Sequence, residues 1–174
     1  MCLCPWTHER GKRFVAMPNL TYIALHGLWL SALALWLGGL AFAVFVAAPV
    51  TFETLPTRAE AGHLVGRMLR RFERFALPCL GLLAATGGAK FALFENPTPP
   101  ILLRYALLFA AALAALISSL WLSPTLAELR ARLDPIDAVP EEDPARRRFR
   151  TLHGLSMALS LLQLLLGAGV LFLS

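Results

Sequence analysis

Four long apolar runs constrain this chain more than anything else in it. They extend roughly over Leu20–Ala48, Phe75–Phe94, Ile101–Leu122 and Phe149–Phe172, and none is broken by more than isolated polar residues. At 1.5 Å per helical residue, about 20 residues cross a hydrocarbon core of ~30 Å, and each run is long enough. Strand-type alternation is absent from all four, which argues against a membrane β-barrel. Composition agrees: 57% of the 174 residues are hydrophobic and 16% charged, against ~45–50% and ~25% in soluble domains. A soluble enzyme, a disordered tail and a secreted disulfide scaffold are excluded on that ground. The expected fold class is all-α: a polytopic integral membrane protein built as a four-transmembrane-helix up-down bundle.

The connections carry the local signals. Between the first two runs, Ala48-Pro49-Val50-Thr51-Phe52 reads as extended chain. Thr57 followed by Glu60 then forms a capping box, and Leu64, Val65, Met68, Leu69 and Phe72 recur at helical spacing with Arg67, Arg70, Arg71 and Arg74 between them. This predicts a cytoplasmic amphipathic helix feeding directly into span two. Glu95-Asn96-Pro97-Thr98-Pro99-Pro100 predicts a short rigid turn. After Ser123-Pro124 come a helical tail and an acidic linker from Asp134 to Asp143, with Asp143 as N-cap and Pro144 at the first position of the last helix. Residues 1–16 read as a flexible leader or a mis-called start ahead of Met17, leaving 17–174 as a single four-helix transmembrane domain.

Basic residues set the expected orientation. Arg10, Lys12, Arg13, Lys90 and Arg104 fall on one side, five in all; eleven arginines (58, 67, 70, 71, 74, 130, 132, 146, 147, 148 and 150) fall on the other. The richer side is cytoplasmic by the positive-inside rule, which places both termini outside an inner (plasma) membrane. The net charge of +5 then speaks for anionic lipid headgroups at the cytoplasmic arginines rather than for nucleic acid.

Few residues suggest chemistry. His26 lies two turns into span one beside Trp29 and Trp36. As a neutral imidazole within the membrane it suits haem or copper ligation or a proton relay, or simply one hydrogen bond to a facing helix. His153 opens span four at the other face of an up-down bundle, on the order of 20 Å from the depth of His26, so the pair is not expected to share one metal. His63 reads as a solvated surface residue and Cys79 as a buried packing residue. Ser156, Ser160 and Gln163 share a face of span four, with Ser118 and Ser119 in span three, and are expected to bond between helices. Gly38, Gly39, Gly62, Gly66, Gly87, Gly88, Gly167 and Gly169 are expected to let helices approach closely, or to serve a homo-oligomer. The span cores hold no Asp or Glu, which weighs against a proton- or cation-coupled transporter. Cys-x-x-Cys, His-x-x-x-His, phosphate-loop and nucleophile-elbow patterns are absent.

Trp36-Leu37-Gly38-Gly39, Ala48-Pro49, Phe52, Leu55, Ala61-Gly62, Val65-Gly66 and Phe72, with Phe149-Arg150, His153-Gly154 and Ser156 near the end, resemble the TMEM205-like four-helix membrane domain, whose function is unknown. The resemblance extends from about Leu20 onward. It implies the four-helix fold and marks Gly38, Gly39, Pro49, Phe52, Gly62, Gly66 and Ser156 as its motif. A more distant similarity to CopD-type copper-resistance proteins and the HemJ type of protoporphyrinogen oxidase implies copper or haem as cofactors, with His26 and then His153 as candidate ligands. The interval from His26 to Trp36 is longer than those groups imply, and the HemJ-type Tyr-Leu-Pro-Arg stretch after span one is replaced by Ala48-Pro49-Val50-Thr51-Phe52. Three expectations follow: a non-catalytic structural or accessory membrane protein, a copper- or haem-binding or transport protein using His26, and a HemJ-like membrane oxidoreductase.

Overall fold

A computed structural model describes residues 20–133, 139–140 and 142–174. The expected leader, with Cys2 and Cys4, and most of the acidic linker lie outside the described residues. The helices are α1 (Leu20–Phe42), a π turn π1 (Ala43–Ala47), α2 (Ala48–Thr54), α3 (Arg58–Leu93), α4 (Pro99–Ile117), a second π turn π2 (Ser118–Leu122), α5 (Ser123–Arg132) and α6 (Pro144–Phe172). Taken through the π turns, they make four continuous helical runs of 29 to 36 residues, each long and apolar enough to cross a membrane. The protein is an all-helical integral membrane protein; the described residues contain no strand.

Both predicted helix starts are present. The Thr57 side chain accepts from the Glu60 N–H at 3.2 Å, and Asp143 accepts from Ala145 N–H at 2.7 Å and Arg146 N–H at 3.3 Å. The amphipathic stretch from Arg58 runs into span two as one uninterrupted helix. Its apolar set divides: Phe72 packs inward, whereas Leu64 and Met68 are exposed.

The extended stretch expected at Ala48–Phe52 is instead helical. Pro49 lacks an N–H, and its ring would crowd the carbonyl four residues earlier, at Phe45. The backbone widens immediately upstream, where Ala48 N–H donates to Ala43 O, five residues back, and the helix then resumes. The same arrangement recurs before Pro124, where Ser123 N–H donates to Ser118 O. Pro78 is carried inside α3 without a π turn, so proline alone does not dictate the device.

The core is narrow. It is made of Trp29, Ala32, Leu33 and Trp36 from α1, Ala76, Cys79 and Leu83 from α3, Leu108, Ala111 and Ala115 from α4, and Val170 from α6. The three- and four-residue spacings place one stripe of each helix inward. Four of these eleven core residues are alanines, small side chains of the kind that let membrane helices pack closely. Phe109 (71% exposed), Leu120, Leu165 and Phe172 point outward. That much apolar surface would be a liability in water and is ordinary against lipid tails. The start of α1 meets the end of α3, where His26 touches Lys90, while Gly39 further along α1 lies against Phe72. Gly167 of α6 receives Leu37 of α1, and Gly169 receives Leu107 of α4.

Candidate functional site

The richest polar chemistry lies where α1 begins, α3 ends and α4 begins. Lys90, in the last turn of α3, is fully buried, at 0% exposure. Its ammonium favours the carbonyl end of the helix, but a buried ammonium is costly without partners. It has two. Nζ lies 2.9 Å from His26 Nδ1 and 3.5 Å from Glu95 Oε1. With Lys90 as an ammonium, which has only protons to offer, His26 Nδ1 is assigned as the acceptor of this contact. Lys90 also lies over the rings of Trp29 (4.7 Å) and Tyr22 (5.7 Å), a favourable placement for a cation on an aromatic face.

Glu95 reaches back into this site because of how α3 ends. The Lys90 carbonyl accepts from both Phe94 N–H (2.9 Å) and Glu95 N–H (3.1 Å), which curls the chain over the last turn. Pro99 and Pro100 then take the first two positions of α4, where no N–H is needed. Arg104 of α4 is also buried and donates to Glu95 Oε2 at 2.5 Å. Tyr105 Oη donates to the same carboxylate at 2.8 Å and lies 2.9 Å from Gly87 O. Burial opposes ionisation of Glu95, but the hydrogen bonds from Arg104 and Tyr105 and the charges of Arg104 and Lys90 outweigh it, holding its carboxyl below the usual range.

Aromatic rings enclose the cluster. Tyr22 stacks on His26 at 5.7 Å between centroids, His26 on Trp29 at 6.3 Å, and Phe91 meets Tyr105 edge-on at 5.4 Å. Arg104 lies over Trp29 and Tyr105. Trp29 Nε1 and Arg104 Nε are buried with no hydrogen-bond partner in the structure. In sum, three helices are tied together by two cations and one anion.

The sequence-predicted residues divide between this site and other places. His26 belongs to it. His153 does not: it stacks on Phe149 at 6.0 Å, Phe149 lies under Arg130, and Arg130 donates to Gly62 O near the start of α3. The two histidines are thus tied to opposite ends of α3, about 40 Å apart at helical rise. Gly62 and Gly66, expected to admit a helix backbone, admit the Arg130 side chain, whose guanidinium nitrogens lie 3.2 Å and 2.7 Å from where their Cβ atoms would stand. Gly39 is a true close approach, with a Phe72 ring carbon 2.4 Å from its missing Cβ, whereas Gly38 opens onto empty space. Pro49 and Phe52 are exposed, and Phe52 faces away from the core. Ser156 is half-buried, and its carbonyl accepts from Ser160 Oγ at 3.0 Å, a bond within the helix and not between helices. His63 is exposed beside Arg67, as expected, and Cys79 is buried.

Lys90, Glu95, Arg104 and Tyr105 were not legible as a site. Lys90 and Arg104 read as topology charges, and Glu95 as part of a turn. The available signal was a lysine four residues inside an apolar run, five residues before a carboxylate. Because the carboxylate comes from the connection, its absence from the span cores did not mean its absence from the bundle end.

For metal ligation the surroundings of His26 are unfavourable. Its Nδ1 is taken by Lys90, and the nearest charges are two cations against one carboxylate. Among the described residues no three His, Cys, Asp or Glu side chains are placed to hold one metal ion.

The model of a domain of unknown function, DUF4149, matches residues 31–134. The chain belongs to that family. The matched segment contains Lys90, Glu95, Arg104 and Tyr105, together with Gly62, Gly66 and Arg130; Tyr22, His26 and Trp29 precede it and α6 follows it. No curated protein and no solved structure matches the chain.

Proposed function

We propose that this member of the DUF4149 family is a non-catalytic accessory protein of the inner membrane. It is an up-down bundle of four transmembrane helices with both termini outside, and the first part of α3 lies on the cytoplasmic surface as a basic amphipathic helix. The eleven arginines collected at that end, against Lys90 and Arg104 at the other, support the orientation, and anionic headgroups are the partner that such an end recognises. The resemblance to the TMEM205-like domain is consistent with this reading. So are the open faces at Gly38 and Gly88, where a second copy would pack.

The observation that carries the proposal is the mutual pairing of the charges in the polar cluster. Lys90 spends its protons on His26 and Glu95, Glu95 is taken by Lys90, Arg104 and Tyr105, and aromatic rings cover the rest. Such a cluster fixes helix ends in register and holds the Lys90 ammonium and the Glu95 carboxylate against each other and their neighbours instead of presenting them to a substrate. Haem or copper on His26 finds less support, because a metal cation there stands beside Lys90.

The test is the protein purified in mild detergent, alone and as His26→Ala. The expected wild-type sample is colourless and free of stoichiometric metal. The variant keeps that composition and loses about 1–3 kcal/mol of stability, because Lys90 loses an acceptor. A haem band or near-stoichiometric copper that disappears in His26→Ala would falsify the proposal.

A further inference from the structure

At the arginine-rich end of the bundle, Gly66 marks a point where two guanidinium groups converge. The position a Gly66 Cβ would occupy is 2.7 Å from Arg130 Nη1 and 3.5 Å from Arg70 Nη1. Arg130 is held there. It donates to Gly62 O, and its guanidinium covers the Phe149 ring at 5.2 Å. Arg70 reaches the same point from the next turn of α3, and its carbonyl accepts from Arg74 Nε at 3.4 Å. Both arginines are half-buried. Two like charges this close, partly withdrawn from water, repel each other.

No ion pair among the described residues reaches either of them. Among the described residues the two ion pairs, Lys90–Glu95 and Arg104–Glu95, both belong to the opposite end. Glu73, one turn beyond Arg70, feels the charge of Arg70 but accepts its hydrogen bond from Ser123 Oγ at 2.7 Å and makes an ion-pair contact with neither arginine. The corner therefore presents two forked donor groups with no ion-pair partner among the described residues. A tetrahedral oxyanion bridging two guanidinium groups is the complement in both shape and charge.

We infer that Arg70 and Arg130, brought together over Gly66, form a binding site for the phosphate of an anionic phospholipid. The inference rests on the proposal that this end of the bundle meets anionic headgroups, and narrows it from a diffuse basic face to one built site. Gly66 has a defined part in it, since any side chain there would displace the Arg130 guanidinium.

The full-length protein in a nonionic detergent is titrated with short-chain phosphatidylglycerol, with phosphatidylcholine of the same chains, and with inorganic phosphate. Thermal stability is read relative to each sample without ligand. The expected result is saturable stabilisation by phosphatidylglycerol alone. The apparent Kd should be weakened about tenfold in Arg70→Gln and in Arg130→Gln, and unchanged in Arg148→Gln, which removes the same charge from an exposed position at the same end. Arg130→Gln also loses the bond to Gly62; if it fails to fold, Arg70→Gln decides alone. Undiminished affinity in Arg70→Gln, or an equal loss in Arg148→Gln, overturns the site but leaves the diffuse lipid reading standing. No preference for phosphatidylglycerol in the wild type overturns both. Equal saturation by inorganic phosphate overturns the lipid as the source of the anion.

Discussion

Two cations and one anion share the buried cluster, so the effect of removing a charge depends on which sign is removed. Glu95→Gln leaves Lys90 and Arg104 together with no counter-charge, although their side chains are only 0% and 6% exposed. Breaking a buried pair by deleting one partner costs about 3–5 kcal/mol. The glutamine can still accept from Arg104 and Tyr105, which places the expected loss near the lower end, at about 3 kcal/mol. Lys90→Met is the opposite case. It removes the surplus cation, leaves Arg104–Glu95 as a one-to-one pair, and fills the same space with an unbranched apolar chain. The hydrogen bond to His26 is lost, at about 1 kcal/mol, and the desolvation of an ammonium is relieved. The more deeply buried residue should therefore be the cheaper one to replace, by about 2 kcal/mol. Equilibrium unfolding in mixed micelles, with dodecyl sulfate titrated into a nonionic detergent, measures both variants against wild type. A Lys90→Met loss equal to or greater than that of Glu95→Gln would refute the charge accounting, as would a Glu95→Gln variant indistinguishable from wild type.

Three further outcomes are expected. Because the folded pKa of Glu95 is depressed below the ordinary carboxylate range, its contribution to stability is fully present above that range and is lost as pH falls through the lowered value; an acid titration of unfolding should show this loss in wild type and lack it in Glu95→Gln. Gly167→Ala places a Cβ 2.2 Å from Leu37 Cδ2 and within 3.0 Å of two more atoms of that side chain, so it should cost about 1–3 kcal/mol by overpacking, whereas Gly38→Ala meets nothing within 4 Å and should stabilise by up to about 1 kcal/mol through helix propensity; matched unfolding curves separate them. Pro49→Ala restores an N–H that can donate to the Phe45 carbonyl, and hydrogen exchange over Ala43–Val50 should slow if the π turn anneals, but stay unchanged if neighbouring packing, not the proline, maintains it.

The four membrane-length helices and their starts were legible in the sequence, because apolar length and N-cap chemistry are local properties. Thr57 and Asp143 cap their helices through atoms two or three residues away, and no tertiary contact is needed to foresee that. The Ala48–Phe52 stretch was misread for a related reason. Proline signals that regular α-helix is interrupted, but whether the chain answers by extending or by inserting one wide turn depends on what the continued helix can pack against, which the local sequence does not contain.

The glycines show the same division. Gly39, Gly62 and Gly66 all read as places of close approach, yet one meets an aromatic ring, two meet an arginine side chain, and the neighbouring Gly38 meets nothing. Period and residue size identify which positions tolerate contact; only the arrangement of helices supplies the contacting atom. The candidate site is the extreme case. His26, Lys90, Glu95 and Arg104 are separated by up to 78 residues and come from two spans, a connection and a third span, so their charges looked unrelated along the chain. By itself the sequence determined that the chain is helical, enters a membrane, and is more basic at one end. The tertiary structure decided that a lysine inside an apolar run is paired instead of stranded, and that two arginines at the other end meet each other with no ion-pair partner among the described residues. Pairing is a property of distance in space, and along a helix of 36 residues that distance is set by which helix lies alongside.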